Sequence, residues 1–188
     1  MKRLFVALPV PEVASARIAV LRGGVPGARW VEPGNFHLTL RFIGEVDGRV
    51  ERDVVGSLSS LRFRRFDIAL AGLGHFESRG RVRALWLGVD SPPELKALWR
   101  KVEQAMISAG LEATGRKFKP HVTLARLKDA PAERVSQFMA MHALFRTEPF
   151  TVKSVMLLES MLGYGPPNCR TELEVPLLEV PVSDLGAR

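Results

Sequence analysis

The stretch His37-Leu38-Thr39-Leu40 occurs a second time, in nearly the same form, as His121-Val122-Thr123-Leu124. Both copies alternate polar and apolar residues, which is the pattern of a half-buried β-strand. In each copy the histidine and the threonine share one face of the strand, and the two aliphatic residues point to the core from the other. Two such strands side by side would form a cleft that contains two proton-transfer groups and two hydroxyl donors.

Longer segments repeat around these tetrapeptides. A spacing of 84 residues separates the two histidines, and the same spacing aligns Phe66 with Phe150. With a gap of three residues, the segment 4–8 aligns with the segment 85–89. A single His-x-Thr strand is usually structural, but two of only four histidines fall in matching tetrapeptides. These matches indicate an internal duplication.

The repeated motifs and their surroundings resemble those of a known family. The motif contexts are Phe36-His-Leu-Thr-Leu-Arg-Phe-Ile-Gly-Glu45 and Lys119-Pro-His-Val-Thr-Leu-Ala-Arg126, and the segments 3–9 and 158–162 are also similar. The family is that of the two-histidine (2H) phosphoesterases, and within it the RNA 2′,3′-cyclic phosphodiesterases, also called 2′-5′ RNA ligase-like proteins. The resemblance covers nearly the whole chain.

The resemblance implies an α+β fold with two lobes. Each lobe would be an antiparallel sheet with outer helices, and the two pseudo-symmetric lobes would enclose a central cleft. We therefore expect one domain over residues 1–188, built of two intertwined repeat lobes at about 1–80 and 81–188.

Local patterns predict the individual elements. The predicted strands cover 3–8, 36–43, 65–73, 82–89, 121–127, 150–159 and 169–177. The predicted helices cover 12–21, 48–61, 92–109 and 131–142. Ser91 is expected to cap the third helix before two prolines, a loop is expected at 23–35, and a Gly/Pro turn is expected at 163–167.

Composition narrows the function and the compartment. The chain has 27 Lys and Arg residues against 20 acidic ones, a net charge of +7. This favours polyanionic partners such as RNA, although a genome-wide bias towards arginine would give the same excess. The single Cys169 excludes an intramolecular disulfide. No signal peptide or membrane span is evident, so we expect a cytoplasmic protein, and a monomer.

The resemblance also assigns roles in phosphodiester chemistry. His37 would be the proton donor to the leaving 3′-oxygen, and His121 would be the proton acceptor that activates water. The Thr39 and Thr123 hydroxyls can donate to the non-bridging phosphate oxygens. The implied substrates are RNA ends or nucleotides with a 2′,3′-cyclic phosphate, and the implied product is a 2′-phosphomonoester. Which histidine is acid and which is base stays open, because the reverse reaction exchanges them.

Two arginines are further candidates for binding phosphate. Arg126 matches the arginine that follows the second motif in the family, but strict alternation turns it away from His121 unless a bulge intervenes. Arg41 has the same parity as His37 and Thr39, which places it at the rim of the cleft. The same alternation predicts core packing for four aromatic residues, Phe36, Phe42, Phe76 and Trp86, although they could instead stack a base.

Cofactors and metals are not expected. A zinc site needs three or four converging ligands, and the repeats supply two imidazoles. The chain has no Walker-type glycine loop for ATP. Three alternatives remain: 2′-5′ RNA ligation in the same pocket, hydrolysis of another cyclic or 2′-5′-linked nucleotide, and RNA binding without catalysis.

Overall fold

The structure is a computed structural model, and it describes residues 1–90, 92–115, 117–161 and 168–179. The strands are β1 (Lys2–Pro9), β2 (Ala28–Trp30), β3 (His37–Val46), β4 (Phe66–Ser78), β5 (Arg81–Asp90), β6 (His121–Leu127), β7 (Phe150–Val152), β8 (Ser154–Met161) and β9 (Asn168–Pro176). The α-helices are α1 (Glu12–Ala19), α2 (Gly48–Ser59), α3 (Pro93–Ser108) and α4 (Ala132–Met141), and a 3-10 turn covers Pro33–Asn35. The predicted Ser91 cap and the predicted turn at 163–167 lie outside the described residues.

The predicted α+β architecture is confirmed, and most elements lie where the sequence placed them. The predicted loop at 23–35 was wrong in part, because it contains the short strand β2 and the 3-10 turn. The predicted strand at 150–159 divides at Lys153 into β7 and β8, which pair with different neighbours. The helices pack on the sheet through apolar residues at helical spacing, such as Leu95, Leu98 and Val102 of α3.

The strands form one antiparallel sheet with the order β7-β4-β5-β6-β3-β1-β8-β9, and β2 pairs with β6. The two histidine strands, β3 and β6, meet at its centre. The two halves of the sequence exchange strands, because β4 pairs with β5 and β8 pairs with β1. The strands β7-β4-β5-β6 and the strands β3-β1-β8-β9 therefore each come from both halves of the chain.

The two sides of the sheet differ in character. One face, with Leu8, Leu38, Leu87 and Val122, is fully buried under the helices in the main core. The opposite face contains His37 and His121 with a much smaller apolar cluster. Among the described residues, no helix combines the length and the apolar character needed to cross a bilayer.

A β-bulge interrupts each histidine strand at the equivalent position. In the β1–β3 ladder Val6 pairs with Arg41 and Ala7 with Thr39, so Leu40 has no opposite residue. In the β5–β6 ladder Leu85 pairs with Ala125 and Trp86 with Thr123, so Leu124 is the extra residue. An extra residue reverses which face the following side chains occupy.

The pairing registers correct the alignment of β1 with β5. Leu8 lies opposite Leu38, and Leu87 lies opposite Val122, so Leu8 and Leu87 are equivalent. The sequence alignment matched Leu8 with Val89 and was wrong by two residues. The error preserved which residues face the core because side chains alternate with a period of two.

Candidate active site

The two histidines are held in the same orientation by main-chain carbonyls. His37 Nδ1 is 2.8 Å from the carbonyl oxygen of Asn35, and His121 Nδ1 is 2.7 Å from that of Lys119. A carbonyl oxygen only accepts hydrogen bonds, so Nδ1 carries a proton in both rings. Nε2 is therefore the nitrogen that each imidazole offers to a substrate.

The surroundings of both rings favour the neutral imidazole. Burial lowers the pKa of His37, and the charges of His121 and Arg126 lower it further. Burial also lowers the pKa of His121, and the Lys119 ammonium adds to this. The hydrogen bonds to Asn35 and Lys119 act in the opposite direction. Leu38 pairs with Val122, so the two imidazoles lie on adjacent strands, where the charge of one can act on the other.

The bulge at Leu124 brings Arg126 to the histidine face. Ala125 lies opposite the fully buried Leu85 and is itself fully buried, and Arg126 is exposed. Its charge acts on the pKa of His37. Strict alternation would have turned Arg126 towards the core, and the bulge removes that objection.

The equivalent bulge at Leu40 turns Arg41 away from the histidines. Arg41 lies opposite the buried Val6, and its side chain is only 12% exposed. Its Nη1 is 3.3 Å from Glu103 Oε1 of α3, and its Nη2 donates to the Glu112 carbonyl oxygen at 2.6 Å. The expectation that Arg41 lines the cleft was therefore wrong, because the parity count ignored the bulge.

The structure places Thr39 and Thr123 on the histidine face as expected, and both are partly exposed. Core packing was the right prediction for Phe36, which is 4% exposed. It was wrong for Phe42, which is 50% exposed and lies under the Arg3 guanidinium at 5.1 Å.

Core packing was also wrong for Phe76 and Trp86, which surround His121. Their ring centroids lie 4.9 Å and 5.9 Å from that of His121. The Lys119 ammonium lies 4.6 Å from the centroid of Trp86 and 5.3 Å from that of Phe76. His121 thus packs against two aromatic rings, and the Lys119 ammonium lies over both of these rings.

A glycine makes room for the Trp86 ring beside His121. A Cβ atom at Gly74 would lie 2.1 Å from Cη2 of Trp86, so the indole rests directly on the Gly74 backbone. Gly74 lies opposite Trp86 in the β4–β5 ladder. A glycine in a strand interior often marks such a close approach. Gly74 is therefore the feature of the sequence that could have indicated the position of Trp86.

The surroundings of His37 are different. Its ring lies 4.9 Å from that of Phe5, which belongs to the small cluster with Ala7, Leu158, Met156 and Cys169. Burial raises the pKa of the Cys169 thiol, which keeps it in the less reactive protonated form. Within the described ranges, no group of three or more His, Cys, Asp or Glu side chains is arranged to hold a metal ion.

This geometry, with two equivalent imidazoles on duplicated strands, is that of a two-histidine phosphoesterase. The family model of the LigT like phosphoesterases matches residues 8–86 and again residues 87–167. The chain belongs to this family.

Curated relatives agree with the assignment. The chain is 43% identical over 122 residues to a protein of Aeropyrum pernix named RNA 2′,3′-cyclic phosphodiesterase, covering 64% of this chain and 69% of that protein. It is 35% identical over 129 residues to a protein of the same name from Archaeoglobus fulgidus, covering 67% and 73%.

Solved structures share the fold. The crystal structure of Escherichia coli LigT complexed with 3′-AMP superposes with a TM-score of 0.75 and 27% sequence identity, covering 94% of this chain and 98% of that one. A structure described as a phosphoesterase superposes with a TM-score of 0.76 at 24% identity, covering 94% and 98%.

Proposed function

We propose that the protein hydrolyses 2′,3′-cyclic phosphates at the ends of RNA and on nucleotides, and that the product is a 2′-phosphomonoester. His37 and His121 act as the acid and base, without a metal ion. The relatives named RNA 2′,3′-cyclic phosphodiesterase support the choice of substrate. The matched orientation of the two histidines is the observation that carries the proposal.

In-line displacement at phosphorus needs a base on the side of the incoming water and an acid on the side of the departing oxygen. His121 Nε2 takes a proton from water as the water oxygen bonds to phosphorus. The bond from phosphorus to O3′ breaks, and His37, which starts as the imidazolium with a second proton on Nε2, passes that proton to the departing oxygen. Each proton transfer contributes roughly 10²–10⁴-fold in rate.

The remaining groups stabilise the charge that develops on the phosphate. Thr39 and Thr123 lie two residues beyond the histidines on the same face, where their hydroxyls can donate to the non-bridging oxygens. Arg126 adds a guanidinium that can bind two phosphate oxygens at once. A cyclic phosphate suits this site because its strained ring already holds phosphorus near the geometry of the reaction.

The second candidate is 2′-5′ ligation, in which a 5′-hydroxyl takes the place of water: it gives its proton to His121 and bonds to phosphorus, and O3′ leaves with the proton from His37. The same matched pair of imidazoles favours it, because a base that accepts a proton from water can accept one from a hydroxyl. Water is present at much higher concentration than RNA ends, so hydrolysis is the principal reaction.

The test is incubation with a nucleoside 2′,3′-cyclic monophosphate and a chelator, followed by identification of the product. A 2′-phosphate formed at an undiminished rate is the expected result. Loss of activity with the chelator would contradict metal-independent catalysis. No turnover of any cyclic phosphate, with retained RNA binding, would instead indicate a binding protein without catalysis.

We further propose that the protein is a cytoplasmic monomer whose repeats, at about 1–80 and 81–188, form one domain. The single cysteine requires no oxidising compartment. The exchange of β4 and β8 between the halves supports one folding unit. Sedimentation equilibrium would test the monomer, and a single cooperative unfolding transition would test the single domain.

A further inference from the structure

The short strand β2 places a second arginine beside Arg126. In the β2–β6 ladder Arg29 lies directly opposite Arg126. Residues at directly opposite positions of an antiparallel pair point to the same face, with Cβ atoms about 4.5–5.5 Å apart. Arg29 is therefore on the histidine face beside Arg126, and both residues are exposed.

The register of β2 is fixed by residues other than Arg29. Trp30 faces the core and packs against Phe138 of α4, with ring centroids 5.5 Å apart. A Cβ atom at Gly27 would lie 2.3 Å from the Lys128 carbonyl oxygen, so this close approach of the chains requires glycine. A slip of one residue would turn Arg29 to the core and Trp30 to water. The scaffold thus holds Arg29 on the histidine face.

An exposed guanidinium beside Arg126 suits a second phosphate group of the same substrate. The planar fork of guanidinium matches the oxygens of a phosphate group. Arg126 is the arginine whose charge acts on His37, and Arg29 lies on β2, which pairs with the same edge of β6 as β3 does.

We infer that Arg29 forms a second phosphate subsite beside Arg126, which binds the reacting phosphate, and that this subsite takes the phosphodiester group that precedes the cyclic phosphate in an RNA chain. This inference rests on the proposed function and specifies its substrate class as oligonucleotide ends. A nucleoside 2′,3′-cyclic monophosphate has a single phosphate, so it offers nothing to this subsite.

The experiment compares kcat/KM for uridine 2′,3′-cyclic monophosphate with that for a trinucleotide ending in the same group. Arg29→Gln should lower kcat/KM for the trinucleotide about tenfold, in keeping with one lost charged hydrogen bond. The value for the mononucleotide should stay within about twofold. The slope of log(kcat/KM) against log salt for the trinucleotide should fall by about 0.7, as for one single-strand phosphate contact.

Two further variants control for charge and folding. Arg29→Lys keeps the positive charge and should retain most of the salt slope. Arg134→Gln removes an equivalent exposed charge from α4, which packs on the opposite face of the same strands. This variant should change kcat/KM for neither substrate.

Equal losses on both substrates, or no loss on the trinucleotide, would overturn the second subsite while leaving the proposed hydrolysis intact. Failure of the unmodified protein to hydrolyse either substrate would overturn both proposals.

Discussion

Leu38 of β3 lies directly opposite Val122 of β6, and the two residues are separated by the same 84 positions as His37 and His121. Two equivalent residues that face each other in an antiparallel ladder define a local twofold axis between them. Each histidine immediately precedes one of these residues. The imidazoles therefore flank the axis on the same face of the sheet.

A second pair of residues lies on equivalent positions far from the histidines. Asp67 pairs with Thr151, and the Thr151 hydroxyl donates to Asp67 Oδ1 at 2.6 Å across the same 84-residue spacing. Phe66 and Phe150, aligned in the sequence, occupy symmetric places in this ladder. The symmetry of the duplication thus extends from the histidine strands to β4 and β7.

Replacing either histidine with alanine should remove most of the phosphodiesterase activity. His37→Ala or His121→Ala eliminates one proton transfer, so kcat should fall at least about 10²-fold. Thermal unfolding should show a folded protein, because each side-chain hydrogen bond is to a single carbonyl. His75→Ala, which changes an exposed histidine outside the repeat, is the control. Full turnover by either site variant would exclude the two-histidine mechanism.

The pH dependence of kcat/KM should be bell-shaped, with both limbs below pH 6.5, the ordinary pKa of histidine. Burial lowers the pKa of both imidazoles, so the base stays neutral to a lower pH and the acid loses its proton at a lower pH. The measurement is kcat/KM between pH 4 and 9 at constant ionic strength. An optimum well above pH 6.5 would contradict the lowered pKa values.

Two charge variants should identify which limb belongs to which histidine. Removing a nearby positive charge raises the pKa of an imidazole. Lys119→Gln should therefore move the His121 limb to higher pH, and Arg126→Gln should do the same for the His37 limb. If His37 is the acid, Arg126→Gln moves the alkaline limb. If the same limb moved in both variants, the two limbs could not be assigned to the two histidines by these substitutions.

Adding a methyl group at Gly74 should displace the Trp86 indole and disturb the surroundings of His121. Gly74→Ala should lower the free energy of unfolding by about 1–3 kcal/mol, as overpacking does, and shift the tryptophan fluorescence. Gly56→Ala on α2, where the new Cβ has open space, is the matched control and should stabilise by up to about 1 kcal/mol. Equal effects of the two substitutions would contradict the close packing of Trp86.

The bulges predict opposite consequences for two arginines. Arg41→Met should leave kcat/KM nearly unchanged but lower the free energy of unfolding by about 1–3 kcal/mol, because Glu103 and the Glu112 carbonyl lose a hydrogen-bond donor. Arg126→Gln should lower kcat/KM by about 10–100-fold, with little loss of stability. The reverse result would indicate strict alternation without bulges, with Arg41 on the histidine face and Arg126 towards the core.

Sequence patterns predicted the face on which the histidines and threonines of the two motifs lie, but they misplaced residues beyond these motifs. Alternation placed each histidine and threonine on one face because the strands are regular there. A bulge adds one residue without a compositional mark, so Leu40 and Leu124 could not be recognised, and Arg41 was assigned to the wrong face. Trp86 was misplaced for another reason: its strand is apolar on both faces, and periodicity does not distinguish them.

The exchange of strands between the halves affects how the chain folds during synthesis. β1 pairs along one edge with β3 and along the other with β8, so Leu4 lies opposite Glu159. On the ribosome, the outer edge of β1 stays open until β8 has emerged. Open strand edges recruit other chains. Nascent or truncated chains that lack β8 would therefore aggregate more readily than the finished protein.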